Sequence, residues 1–275
     1  MFGPTPVLQD EPEDREPALS PEYSIWERVE EYGFSGEINW DMGFATLTSV
    51  TAYRDSRADR SYDPDASPVD IIRDTNDGEQ YRTFSQELRF QGETGALNYL
   101  FGAFYSNERI TSRDSYSFGA DYENWVETLI GIPGIFSALT GLPAGESFPL
   151  GGGTNDVFHQ TGDSLSVFTH NSLELAPGLT LAAGVRYNWD WKSLDADLYT
   201  NNPGCAAAVA AGGDGLSTIP AALRQLVCVP TFDTRRNGHY ESSRSEGDWT
   251  GTASLSYKIT PDINLYGSYS RGYKA

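Results

Sequence analysis

From Tyr32 onward the chain repeatedly alternates apolar and polar residues, the period that sends one set to each face of a β-strand. Tyr32, Phe34, Gly36, Ile38 and Trp40 form one set, with Ser35, Glu37, Asn39 and Asp41 opposite. A turn at Asp41-Met42-Gly43 leads into a second strand, Phe44 to Tyr53, where Leu47 and Val50 fall out of phase. Arg82 to Gly92 predicts a third, with Phe84, Leu88 and Phe90 facing away from Ser85, Glu87, Arg89 and Gln91. Glu93-Thr94-Gly95-Ala96 turns it into Leu97, Tyr99, Phe101, Ala103 and Tyr105. The clearest hairpin runs from Leu165, Val167, Thr169, Asn171, Leu173 and Leu175 through Ala176-Pro177-Gly178. It returns on Leu179, Leu181, Ala183, Val185, Tyr187, Trp189 and Trp191. A last hairpin holds Trp249, Gly251, Ala253, Leu255, Tyr257 and Ile259, turns at Thr260-Pro261-Asp262, and closes on Leu265 to Lys274.

These elements amount to roughly eight strands in four hairpins, a common strand number for small barrels. Their connections segregate by length. Tight turns lie near Gly43, Gly95, Gly178 and Asp262, while long polar stretches lie at about 54–80, 110–163 and 193–247. Short turns on one side and long loops on the other are the mark of an antiparallel transmembrane β-barrel. The predicted fold is therefore all-β, with short periplasmic turns and long extracellular loops. Its outward set comprises Phe34, Ile38, Trp40, Leu181, Val185, Leu255 and Leu265, with Tyr187, Trp189, Trp191 and Tyr257 toward the interfaces. Within the second long stretch, Trp125 to Ile130 and Ile135 to Leu139 predict short helices broken by Pro133.

Composition narrows the choice. Mean hydropathy is −0.45 and no run of about eighteen apolar residues occurs, which excludes a transmembrane helix but not a barrel, where only every second strand residue meets lipid. Aromatics make up 13 %, including 16 Tyr and 6 Trp, as interfacial girdles require. The net charge of −20 argues against nucleic acid as a partner, since phosphate binding needs clustered Lys and Arg. Cys205 and Cys228 share one loop; an exported loop favours a disulfide between them, and two separate buried thiols are the other reading. Residues 1 to about 30, with Pro4, Pro6, Pro12, Pro17 and Pro21, read as acidic coil before a barrel segment over 31–275. No basic and apolar leader opens the chain, so truncation at both ends is the expectation.

Catalytic chemistry is not legible. His159, His170 and His239 stand alone at no metal spacing, and Gly151-Gly152-Gly153 lacks the Lys-Ser/Thr of a phosphate loop. Asp63, Asp65 and Asp70 lack the Gly and Glu of an EF-type calcium loop and read as a solvated acidic stretch. The expectation is neither an enzyme nor a cofactor protein.

Phe84-Ser85-Gln86-Glu87-Leu88-Arg89-Phe90, Leu181 to Tyr187 and Leu265 to Ala275 resemble stretches in the barrels of TonB-dependent outer-membrane receptors. The resemblance covers about residues 30 to 275. It implies a Gram-negative outer-membrane location, contact with outer-membrane lipid, and energy-coupled uptake through the TonB system, foremost of a ferric siderophore. A family barrel has about 22 strands, so this chain would supply only part of one, without plug or TonB box. The residues alone leave two alternatives: a self-contained small outer-membrane barrel with an adhesin or structural role, and a soluble glycan-binding β-protein.

Overall fold

The computed structural model describes Ser20 and residues 24–74, 77–212 and 225–272. In chain order the strands are β1 (Trp26–Asp41), β2 (Thr46–Ser61), β3 (Ile72–Asp74), β4 (Asp77–Thr94) and β5 (Leu97–Phe118). They continue as β6 (Gly153–Ala176), β7 (Leu179–Leu198), β8 (Thr200–Asn201), β9 (Gly238–Thr260) and β10 (Ile263–Arg271). Helices α1 (Tyr122–Ile130), α2 (Ile135–Thr140) and α3 (Pro203–Gly212) lie in the connections. The eight long strands pair antiparallel in the order β1-β2-β4-β5-β6-β7-β9-β10, one sheet with β1 and β10 at its edges. Sequential hairpins build it, each strand beside its chain neighbour.

The short ends follow from local chemistry. β4 turns into β5 through Gly95 and Ala96 alone, and Gly95 has a φ of 56°, a left-handed conformation that glycine adopts without a Cβ penalty. Gly178 does the same between β6 and β7 at a φ of 79°. Pro261 and Asp262 join β9 to β10.

At the other end the strands run far beyond the sequence expectation. The long stretches read as loops at 54–80, 110–163 and 193–247 shrink to 62–76, 119–152 and 199–237, and β1 begins at Trp26, ahead of residue 31. The 24 residues of β6 extend on the order of 80 Å at about 3.3 Å each, more than twice what a ~9–11-residue membrane strand needs. In these extensions both faces are polar, so no alternation announces the strand. The coil expected at 1–30 falls mostly outside the described residues.

The remaining connections fold together. Ile71, Phe118, Tyr122, Val126, Phe136, Phe148, Cys205, Ala208, Val227, Cys228 and Phe232 form one buried cluster, the hydrophobic core of a cap on the sheet's long-connection end. It is drawn from all three long connections and the tip of β5. Among the described residues no second sheet stacks on the first, so the large sheet has no core of its own.

Candidate membrane-facing belt and loop cap

Antiparallel partners in register share a face, so the ladder can be followed across the whole sheet. Phe34 pairs with Tyr53, Ile38 with Ser49 and Trp40 with Leu47. Those continue to Phe84, Leu88 and Phe90 on β4, and from there to Asn107, Ala103 and Phe101 on β5. Ala103 meets Val167 on β6, which meets Tyr187 on β7; Leu173 meets Leu181 and Leu165 meets Trp189. Leu181 then meets Leu255, which meets Gly267, and Leu179 meets Tyr257, which meets Leu265 on β10. All eleven residues expected to face outward thus stand on one side of one sheet. Even with strands on both flanks, Leu181, Val185 and Leu255 remain 38 %, 42 % and 47 % exposed. A soluble protein would cover such a surface.

The apolar set is bounded along each strand. On β5 it runs from Leu97 to Tyr105, on β7 from Leu179 to Trp191, and on β9 from Trp249 to Ile259. Toward the cap it stops at aromatic rings whose hydroxyls meet acids: Tyr32 donates to Asp55 at 3.1 Å and Tyr105 to Asp163 at 2.7 Å. Tyr187 packs edge-on against Trp189 and Trp249 at 4.4 and 4.6 Å between centroids. Apolar body and wet tip is the disposition of interfacial aromatics. Polar side chains inside the belt bond to one another and to the backbone, although the buried Asn171 Oδ1 has no partner among the described residues. Thr51 donates to Gln86, which donates to Ser49, and Asn171 donates to Thr169, which donates to the Leu100 carbonyl. Such pairing lowers the cost of polar atoms away from water.

The opposite face is polar. Arg89 and Glu87 approach to 2.9 Å, Arg54 and Glu31 to 2.6 Å, and Tyr81 donates to Glu108 at 2.6 Å. Arg186 lies over the rings of Phe104 and Phe168 and donates to Asn188 at 2.7 Å. Phe168 occupies space that a Cβ on Gly102 would take, so that glycine lets the ring lie flat on the sheet.

In the cap, Cys205 and Cys228 form a disulfide with Cα atoms 4.9 Å apart. Asn202 braces the same loop: its amide donates to the Val227 and Phe232 carbonyls while its Oδ1 accepts from the Cys205 N–H at the start of α3. The predicted helices are α1 and α2, packed through Val126 and Phe136. β3 pairs with the tip of β5 and β8 with the start of β6, which ties the cap to the sheet. Burial raises the Tyr122 hydroxyl to about 12. Burial also pushes the Asp70 carboxyl up, but Arg73 and the Ala120 N–H outweigh it and hold it below the ordinary 3.8. Arg235, chelating Asp233, lowers that carboxyl despite partial burial. Asp63 and Asp65 spend their oxygens on the backbone N–H groups of Asp65, Ala66, Ser67 and Ile72, so they shape a turn.

A single antiparallel meander with one apolar belt, one polar face and loops gathered at one end is the wall of an outer-membrane-type β-barrel. The sequence profile of the TonB-dependent receptor-like β-barrel domain matches residues 8–275, and the chain belongs to that family. Among solved structures, it resembles the ferric yersiniabactin uptake receptor FyuA of Yersinia pestis at 13 % identity and a TM-score of 0.56, over 88 % of this chain and 27 % of that one. It resembles the siderophore receptor PiuA of Acinetobacter baumannii at 17 % and 0.53, over 90 % and 32 %. It also resembles the ferric-catecholate import receptor Fiu of E. coli K12 at 13 % and 0.52, over 90 % and 36 %. The chain thus spans about a third of the length of these receptors. A search of curated protein sequences finds no match. Members of the family are transporters of the Gram-negative outer membrane, not enzymes.

Proposed function

We propose that this chain forms part of the wall of an outer-membrane receptor that takes up a scarce ligand, foremost a ferric siderophore, with energy delivered by the TonB system. The observation that carries the reading is the register-matched belt: a band rich in apolar residues that runs across one face of the eight long strands, backed by a polar face. Phe34, Ile38, Trp40, Leu181, Val185, Leu255 and Leu265 contact acyl chains, with Tyr187, Trp189, Trp191 and Tyr257 at the interfaces. The polar face lines a wet interior, and the disulfide-closed cap lies on the extracellular side, where a ligand first arrives. Residues 31–275, with Trp26 to Glu30 added at their start, are the barrel portion and 1–25 a lead-in.

The three structural neighbours are named as receptors for siderophores or ferric chelates, which supports the ligand class. Radio-iron uptake from one catecholate and one hydroxamate siderophore, in cells lacking the protein and in complemented cells, tests it. Uptake restored by complementation and abolished by an uncoupler is the expected result. Equal uptake with and without the protein, for both chelates, removes the siderophore reading.

A further inference from the structure

We propose that Asp195, His239 and Glu241, at the cap end of β7 and β9, bind a first-row divalent metal ion, zinc foremost, that clips the two strands together at the base of the third long connection. The inference needs the pairing of β7 with β9 and not the identity of what the receptor carries. Asp195 stands opposite Glu241 in the ladder and Asp197 opposite His239, so the four side chains form a square on one face of the sheet. Linear spacing hides the group, because His239 lies 42 positions from Asp197 in the chain.

The imidazole is already oriented. Its Nδ1 lies 3.0 Å from Asp197 Oδ1, and a carboxylate can only accept, so Nδ1 carries the proton. Nε2 then turns toward Glu241 Oε1 at 3.3 Å and Asp195 Oδ2 at 3.5 Å. Those separations are long for charge-assisted hydrogen bonds, which run about 2.7–2.9 Å. They match the edge of a zinc tetrahedron, about 3.3–3.4 Å when the bonds to nitrogen and oxygen are about 2.0–2.1 Å. The ligand atoms of Asp195, His239 and Glu241 all lie within 4.8 Å of one another, and water completes the tetrahedron. Asp197 is placed as the carboxylate that holds a metal-bound histidine in one tautomer. Charge points the same way. Among the described residues no Lys or Arg forms an ion pair with Asp195, Asp197 or Glu241, and His239 is the basic group they share. Asp195 and Glu241 are like charges directly opposite, a destabilising pair until a cation lies between them. The imidazole nitrogen selects against calcium and magnesium, which take oxygen ligands. His239, Asp197 and Glu241 are exposed and Asp195 is half-buried, so an ion can enter from solvent. β7 ends at Leu198 and β9 begins at Gly238, so the ion closes the neck of the connection that carries the disulfide and Phe232. Thr200 and Asn237 brace that neck with bonds of 2.6 and 2.9 Å.

The test titrates zinc into the full chain, folded in neutral detergent and stripped of metal, in competition with a chromophoric chelator. Saturable binding of one ion is expected. Asp197→Asn, which only frees the ring, should weaken it roughly tenfold, and His239→Gln should weaken it further. His159→Gln is the control: His159 stands opposite Asp195 on β6, but its Nδ1 lies 3.1 Å from the Thr111 hydroxyl and outside the group, so affinity should not change. Zinc should slow hydrogen exchange in residues 199–212 and 225–237 of the wild-type chain and not of His239→Gln. In metal-free buffer all variants should share the wild-type thermal midpoint, because exposed ion pairs carry little stability; a loss of affinity is then a loss of ligands and not of fold. X-ray absorption at the zinc edge of the loaded wild-type chain should show an imidazole shell, a readout that needs no variant. No saturable binding, unchanged affinity in His239→Gln, a shell of oxygen alone, or calcium displacing zinc at equal concentration each overturns the proposal.

Discussion

The belt and the cap solve opposite problems with one chain. In the belt the apolar side chains share one exposed face of the sheet, held in place by ladders of backbone hydrogen bonds. In the cap, eleven buried residues face inward and pack as a small soluble domain, with Phe118 touching Tyr122, Phe148 and Phe232 at 4.8, 5.1 and 4.5 Å between centroids. The difference teaches that burial and membrane exposure cannot be told apart residue by residue. Phe118 and Phe101 belong to the same strand, yet one is fully buried and the other 51 % exposed. What distinguishes them is the face and the height: Phe101 lies on the belt face within the apolar band, and Phe118 lies on the opposite face at the strand tip, under the cap.

The sharpest way to break the comparison is Phe118→Ala. Removing a fully buried ring should cost the cap about 3–5 kcal/mol, while belt-dependent micelle association stays intact; hydrogen exchange resolved along the chain measures both. Loss of exchange protection spread evenly over belt and cap would show a single cooperative unit. Next comes Val185→Arg, at mid-belt opposite Thr169 and Gly251. A charge there should destabilise by about 2–4 kcal/mol in a bilayer, read by urea unfolding in lipid vesicles. The same charge at Glu241, beyond the belt, should change stability by less than about 0.5 kcal/mol; equal effects at the two sites would remove the distinction.

The disulfide comes third. Its sequence separation of 23 predicts about 3 kcal/mol lost from the cap in a Cys205→Ser, Cys228→Ser double variant. Protease nicking between residues 199 and 237 should accelerate while the strands resist. Mass spectrometry of unreduced protein finding two free thiols would remove the basis for this expectation. The smallest effect is acid sensitivity. Asp70 and Asp233 have carboxyls held below 3.8, so the stability they lend is fully present above that value and is lost as pH falls through their lowered values. The cap should therefore loosen in acid before the belt does, and Asp70→Asn should reduce the pH dependence of cap exchange rates.

The sequence by itself determined the phase of the belt. Eleven residues could be placed together on one face because a two-residue period is a property of the strand alone, and tight turns at Gly95 and Gly178 fixed where each hairpin reversed. It also marked α1 and α2, whose apolar residues recur at helical spacing. Only the tertiary structure decided where the strands end and what their long connections do. Above the belt Arg57, Arg82, Arg109 and Arg113 alternate with other polar residues, so water on both sides erases the periodic signal although the ladder continues. The cap core brings Ile71, Phe148 and Phe232 together from three connections, and nothing in the spacing of distant residues announces a contact that only the meander's strand order creates.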